Sequence, residues 1–217
     1  MSEQHQTKHH IWRILFIILC IVNVVTVVSI FIYLYSPIPN EDIHLSNKEY
    51  TKEHSSEFVI RTTKHNLNDL INAYLDKMLE NTKYQYSVKL EEDVQLFGEI
   101  PIFSAKIPLL IHFDPIVKKN GDIALKQKSI SVGFLELPNQ KIMQYVAKYL
   151  VMPEWVVVNP KEEEIYVKIT EMDIKSNFRV EFEQFNLETN DIAIRLFVPY
   201  HTLGIDVVPN LDQIEEE

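Results

Sequence analysis

Hydrophobic positions along this chain follow three different rules. From residue 14 to residue 35 they are unbroken (ILFIILCIVNVVTVVSIFIYLY), and no Asp, Glu, Lys or Arg occurs between Arg13 and Glu41. Twenty-two residues in a helix at about 1.5 Å each reach about 33 Å, enough for a hydrocarbon core of about 30 Å. A soluble core helix would carry a polar stripe, and this run offers only Asn23, Thr26 and Ser29. The run also exceeds the apolar region of a secretory signal, and Ser36-Pro37-Ile38-Pro39 is no cleavage site. The pattern predicts an uncleaved transmembrane anchor at 14–35.

From residue 64 to residue 80 the period is helical. Leu67, Leu70, Ile71, Tyr74, Leu75, Met78 and Leu79 recur at i, i+3, i+4 and i+7, after a cap at Thr62 or Thr63. A second, shorter helix lies between Pro138 and Pro153, with Ile142, Met143, Val146 and Leu150 on one face and Lys141, Gln144 and Lys148 on the other.

Elsewhere the period is two. Strand-like runs occupy 58–60, 84–90, 94–97, 106–113, 123–128, 129–137, 155–158, 165–169, 178–185 and 192–198. Gly98, Pro101, Pro115, Asn120-Gly121, Pro138, Pro153 and Asn159-Pro160 punctuate them, so short turns and antiparallel pairing are expected. Asn120-Gly121 is the strongest hairpin signal. Two runs change parity partway: Ile123 and Leu125 are out of phase with Ile130, Val132 and Phe134, and Phe178, Val180 and Phe182 with Phe185 and Leu187. Either a turn separates two strands at each place, or a bulge bends one strand and keeps both groups inward. Bends would curl the sheet around the long helix and enclose an apolar groove.

The expected fold class is α+β: a transmembrane helix, then a curved, mainly antiparallel sheet packed on a long and a shorter helix. The expected boundaries are a cytoplasmic tail at 1–13, the anchor at 14–35, a stalk at 36–57, an extracytoplasmic domain at 58–204 and an acidic tail at 205–217. Lys8 and Arg13 precede the span with only Glu3 against them, which places the N-terminus inside. The remaining residues hold 19 basic and 30 acidic side chains, so the body is acidic and outside.

Composition narrows the chemistry. The formal charge of −10, without a basic cluster, excludes a nucleic-acid footprint. One cysteine, Cys20, inside the apolar run, removes disulfide frameworks and thiolate metal sites. Of eight histidines only His65, His112 and His201 fall in the body, none in a metal-ligand pattern. There is no nucleophile elbow, and four glycines leave little from which to build a phosphate loop. The acidic runs 91–93, 162–164 and 215–217 read as solvated turns. No catalytic residue, metal site or cofactor is expected, and the chain reads as a non-enzyme. If the curled sheet encloses a groove, its expected lining is Phe134, Ile142, Met143, Val146, Leu150 and Trp155, with a lipid or another amphiphile as ligand.

Three stretches, LNDLINAYLDKML at 67–79, NGDIALKQKSISVGFLELP at 120–138 and MPEWVVVNPKEEEIYVKI at 152–169, together with the N-terminal anchor, resemble the YpmS family. These are membrane-anchored proteins of Gram-positive bacteria with a domain of unknown function. The resemblance spans about residues 12–204 and implies location and architecture more than activity. It also implies a neighbouring lipase or esterase of the SGNH class as a partner, which makes an adaptor holding an envelope enzyme the alternative function.

Overall fold

The computed structural model describes residues 4–36, 55–82, 84–102, 105–134, 137–174 and 177–204. The chain divides into two units, residues 1–41 and 42–217. Most of the expected stalk and all of the tail at 205–217 lie outside the described residues.

The first unit contains one helix, α1 (Gln4–Tyr35). Its segment Trp12–Tyr33 is long and apolar enough to cross a membrane, and every side chain along it is exposed. Thr26 satisfies its hydroxyl internally by donating to the Val22 carbonyl at 2.8 Å, the form a polar group takes in an apolar helix.

The second unit is α+β. Its elements run β1 (Ser55–Thr62), α2 (Lys64–Leu79), β2 (Tyr86–Leu90), β3 (Val94–Ile102), β4 (Ala105–Val117), β5 (Ile123–Val132), α3 (Asn139–Tyr149), β6 (Val156–Asn159), β7 (Glu164–Val167), β8 (Arg179–Asn186) and β9 (Asp191–Pro199). One sheet has the order β1-β9-β8, the other β2-β3-β4-β5-β7-β6, and every pairing among them is antiparallel. Together they form a curled half-barrel, the curved antiparallel sheet that the strand pattern predicts.

Both parity changes are bulges inside single strands. Residues 123–132 are one strand, and its register against β4 slips between His112 and Phe113, leaving Lys128 as the extra residue. Ile123 and Val132 therefore both face the core, at 3% and 2% exposure. In β8 the register slips between Phe182 and Gln184, with Glu183 extra. The two 123–137 runs expected from the sequence thus merge, and the register shift, with the bend it brings, replaces the turn.

Helix α2 begins where the capping signal puts it: the Thr63 side-chain oxygen accepts from the Asn66 N–H at 3.3 Å. Leu67, Leu75 and Leu79 are buried, and Ile71 and Met78 pack against the same core. Leu70 does not join them; it is 66% exposed, and Tyr74 is also exposed. At about 100° per residue, the buried arc is centred on the side of Leu75 rather than Leu70, because Asn68 and Asn72 also face inward. Asn72 donates Nδ2 to the Val88 carbonyl at 2.7 Å and accepts from the Val88 N–H at 3.1 Å. Asn68 accepts from the Leu90 N–H at 3.1 Å. The two carboxamides thus occupy hydrogen-bonding positions on the outer edge of β2 that a further strand would otherwise use.

The Asn120-Gly121 hairpin does more than reverse the chain. Gly121 adopts φ +86°, and its carbonyl accepts from the Phe182 N–H at 2.8 Å, which ties the tip of the β4–β5 hairpin to β8 of the other sheet. Asp122 is buried beside it and fully engaged. Its carboxylate accepts from Asn120 Nδ2 at 2.7 Å, the Thr170 hydroxyl at 2.9 Å, the Thr170 N–H at 3.1 Å and the Tyr166 hydroxyl at 3.3 Å. A buried carboxylate with four donors is a structural knot, not a free acid.

Candidate functional site

The six residues expected to line one groove occupy three different places. Ile142, Met143 and Val146 form the buried face of α3, with Leu150 buried just past its end, and Met143 and Val146 have no accessible surface at all. In this structure the face closes the core. Phe134 is fully exposed in the turn after β5. It is carried outward by Gly133, whose φ is +54° and whose N–H donates to the Pro108 carbonyl at 3.0 Å. Trp155 is half-buried with its ring 5.9 Å from that of Tyr74.

The open apolar surface lies on the β1-β9-β8 sheet. Opposed residues of an antiparallel pair share a face, so the register sets Phe58, Leu196 and Val180 in one row. Ile60, Ile194 and Phe182 make the second row, and Thr62, Ile192 and Phe185 the third. The bulge at Glu183 keeps Phe182 and Phe185 on this one face, in edge-on contact at 5.2 Å. Burial grades across the rows: Ile192 is 0% and Phe182 9% exposed, whereas Phe58 and Ile60 on β1 are 53% and 48% exposed. The core therefore opens toward β1 without changing its apolar character.

The other face of the same sheet is charged. Arg195 reaches Glu57 at 3.0 Å, Arg179 reaches Glu181 at 3.1 Å, and the Arg179 guanidinium lies 4.3 Å from the Phe197 ring centre. The sheet is thus strongly two-sided. Sequence reasoning missed this surface because β1 and β9 meet across nearly the whole domain; the alternation Phe58, Ile60 against Glu57, Arg61 was its one local signal.

Both α2 and α3 also carry exposed aromatic side chains. Leu70, Tyr74 and Tyr149 are exposed, with Trp155 against Tyr74 and the Tyr145 ring 4.9 Å from Tyr149. The Tyr145 hydroxyl is buried and, among the described residues, has no hydrogen-bond partner. Burial raises its pKa, and the neighbouring Tyr84 and Tyr149 add to that. Tyr86 beneath it donates to the Val151 carbonyl, and burial, then Tyr74, push its pKa up to about 12.

The histidine singled out on the 106–113 run is held by a carboxylate. His112 Nδ1 lies 2.9 Å from Asp93 Oδ2, Gln95 Nε2 donates to Asp93 Oδ1 at 2.9 Å, and Lys128 Nζ stands 3.9 Å away. Asp93 is buried, unlike the solvated turn residue that its acidic run predicts. Burial alone would raise its pKa, but the hydrogen bonds from Gln95 and His112 and the charges of His112 and Lys128 outweigh it and hold the carboxyl below its ordinary value. Among the described residues, no group of three or more His, Cys, Asp or Glu side chains could hold a metal ion.

The chain belongs to the family described as an uncharacterized protein conserved in bacteria (DUF2140), whose model matches residues 10–198. Among its relatives is the uncharacterized protein YpmS of Bacillus subtilis (strain 168), 31% identical over 188 residues that cover 87% of this chain and 97% of the relative. No solved structure matches the chain.

Proposed function

We propose that this is a single-pass membrane protein, N-terminus inside, whose extracytoplasmic domain binds a lipid or another amphiphile without catalysing its conversion. The observation that carries the reading is the open apolar face of the β1-β9-β8 sheet. Phe58 and Ile60 leave about half their surface in water, beside Leu196, Ile194 and Val180, which are only partly covered. Apolar area of this kind is stabilised by whatever removes it from water, at about 25 cal/mol per Å². Lys8 and Arg13 before the uncharged run 14–35 support the orientation, and the bilayer to which the domain is tethered supplies amphiphiles. The contact surface proposed here is Phe58, Ile60, Leu196, Ile194 and Val180.

The test uses the full chain in membranes with a photoactivatable acyl probe, followed by peptide mapping. Adducts within 55–62 and 179–198 are the expected result, lost when Phe58 and Leu196 are both changed to Ser. Adducts confined to 14–35 would refute ligand binding by the domain.

A second reading, an adaptor that holds an envelope lipase or esterase, has one observation in its favour. Leu70 and Tyr74 are exposed on α2 with half-buried Trp155 against Tyr74, an aromatic composition found at protein interfaces. Retention of such an enzyme by the wild-type chain, and its loss in a Leu70→Ser, Tyr74→Ser variant with an unchanged acyl-probe pattern, would favour it.

A further inference from the structure

The two sheets end in edges that the chain treats differently. On the larger sheet, the outer edge of β2 is hydrogen-bonded by Asn68 and Asn72 of α2. On the smaller sheet β1 is an edge strand of eight residues, SSEFVIRT, and among the described residues its ladder runs to β9 alone. The strand contains no proline, lysine or bulge, the usual devices that keep an edge from pairing. Its three central residues Phe58, Val59 and Ile60 are exposed by 53%, 52% and 48%.

The residues of β1 also complement one another. If the strand is laid antiparallel on a copy of itself and centred on Val59, Glu57 meets Arg61, Phe58 meets Ile60 and Ser56 meets Thr62, on both sides of the axis. Opposite charges then face each other on the outer face, and apolar side chains on the inner face. Centring on Phe58 instead sets Glu57 against Val59, and centring on Ile60 sets Arg61 against Val59; in both the charge pairs are lost. Glu57 and Arg61 already contact Arg195 at 3.0 Å and Asp191 at 2.7 Å, but their side chains remain 50% and 66% exposed. A carboxylate and a guanidinium each have the capacity for a second partner.

We propose that two copies of this chain pair through β1, antiparallel and centred on Val59, and so join their three-stranded sheets into one of six strands across a two-fold axis. The proposal rests on β1 and does not depend on ligand binding at the inner apolar face. Pairing of one edge strand buries less than a standard interface of about 1,600 Å². The dimer is therefore weak in dilute solution, and it should be sought with the full chain in its membrane, where both copies are concentrated.

The experiment is register-specific disulfide crosslinking of the full chain in membranes, in a Cys20→Ser background. Directly opposed residues of an antiparallel pair have Cα atoms about 4.5–5.5 Å apart, within disulfide reach. Val59→Cys should crosslink to itself on mild oxidation. Phe58→Cys and Ile60→Cys should crosslink to each other when co-expressed and far less to themselves. In the Val59→Cys background, Glu57→Arg or Arg61→Glu alone should abolish most of the crosslink, and the two together should restore it. The double change leaves both in-chain contacts with Arg195 and Asp191 unfavourable, so rescue reports the partner strand and not fold stability. No crosslink at Val59, a crosslink indifferent to both charge changes, or one that appears only when residues 205–217 are removed would overturn the proposal. So would a Val59→Cys adduct to a different protein in place of the homodimer.

Discussion

Gly121→Ala is the substitution for which the structure gives the sharpest expectation. A Cβ at this position would lie 2.5 Å from Glu181 Cβ, 2.7 Å from Cγ and 3.2 Å from the Glu181 Cα. The nearest atoms belong to the stem of Glu181 and to backbone, so the clash cannot be relieved by turning a flexible tip. The backbone at φ +86° adds a left-handed penalty of about 1–2 kcal/mol for a residue with a side chain. Forcing a methyl group into a filled site typically adds about 1–3 kcal/mol. Together they predict a loss of about 2–5 kcal/mol, a fall in melting temperature on the order of 10 °C for a chain of this size. Because the Gly121 carbonyl holds the Phe182 N–H, the loss should loosen the joint between the two sheets, which amide exchange at Phe182 would register. Gly98→Ala is the matched control: its Cβ would sit 3.5 Å from Tyr86 Cβ, an ordinary contact, and the change should be neutral or stabilising within about 1 kcal/mol. Thermal unfolding of both variants, followed by circular dichroism, decides the matter. Equal melting temperatures would show that the hairpin tip does not seat against β8 as described.

Three further outcomes are expected. Leu70→Asp should change stability by no more than about 0.5 kcal/mol because Leu70 is 66% exposed, whereas Val146→Trp, at a site with no accessible surface, should cost about 1–3 kcal/mol or more by overpacking; denaturant midpoints of the two variants would reverse in rank if α3 faced an open groove. Asn72→Ala should cost about 1–3 kcal/mol by leaving the Val88 N–H and carbonyl without their partner, and should speed amide exchange at Val88; unchanged exchange there would mean that the helix does not seal that edge. Asp93 has a depressed folded-state pKa, so its contribution to stability is complete above its unfolded value and is lost as the pH falls through the folded one; Asp93→Asn should flatten that acid limb of the melting-temperature profile, and a profile of unaltered shape would count against the pairing with His112 and Gln95.

How far the sequence reaches depends on how local the decisive interaction is. Both helices of the second unit were legible because period, cap and flanking prolines act within a few residues. The hairpin at Asn120-Gly121 was legible for the same reason. The face of α2 was only partly so: hydrophobicity alone includes Leu70, and what turns the helix away from it is a pair of asparagines that bond a strand 16 and 22 residues away. Pro115 reads as a strand terminator, yet β4 continues to Val117; β3 reaches only as far as Phe113, so among the described residues Pro115 lies on a stretch of β4 that pairs with β5 alone. The apolar surface beside β1 was the least legible feature, since it exists only when residues near 58 meet residues near 196. The buried face of α3 was legible from its helical periodicity, but periodicity reports which face is buried and not whether that face meets a core or a cavity.

The two bulges show why a curled sheet could be inferred while the position of its opening could not. Each inserts one charged residue, Lys128 in β5 and Glu183 in β8, into an otherwise alternating strand. A charge at that point cannot face the core, so the chain spends one residue outside and resumes alternation in the other phase. The extra charges then find partners: Lys128 stands 3.5 Å from Asp114 and 3.9 Å from Asp93, and Glu183 3.8 Å from Arg195. The same device that neutralises a charge outside therefore bends the strand inside, where Phe182 and Phe185 are brought onto one face. Parity in the sequence reveals both bends, because each is a property of one strand. Where the bent sheets leave apolar surface uncovered depends on which strands they join, and β1 meets β9 only after the rest of the domain has been laid down between them.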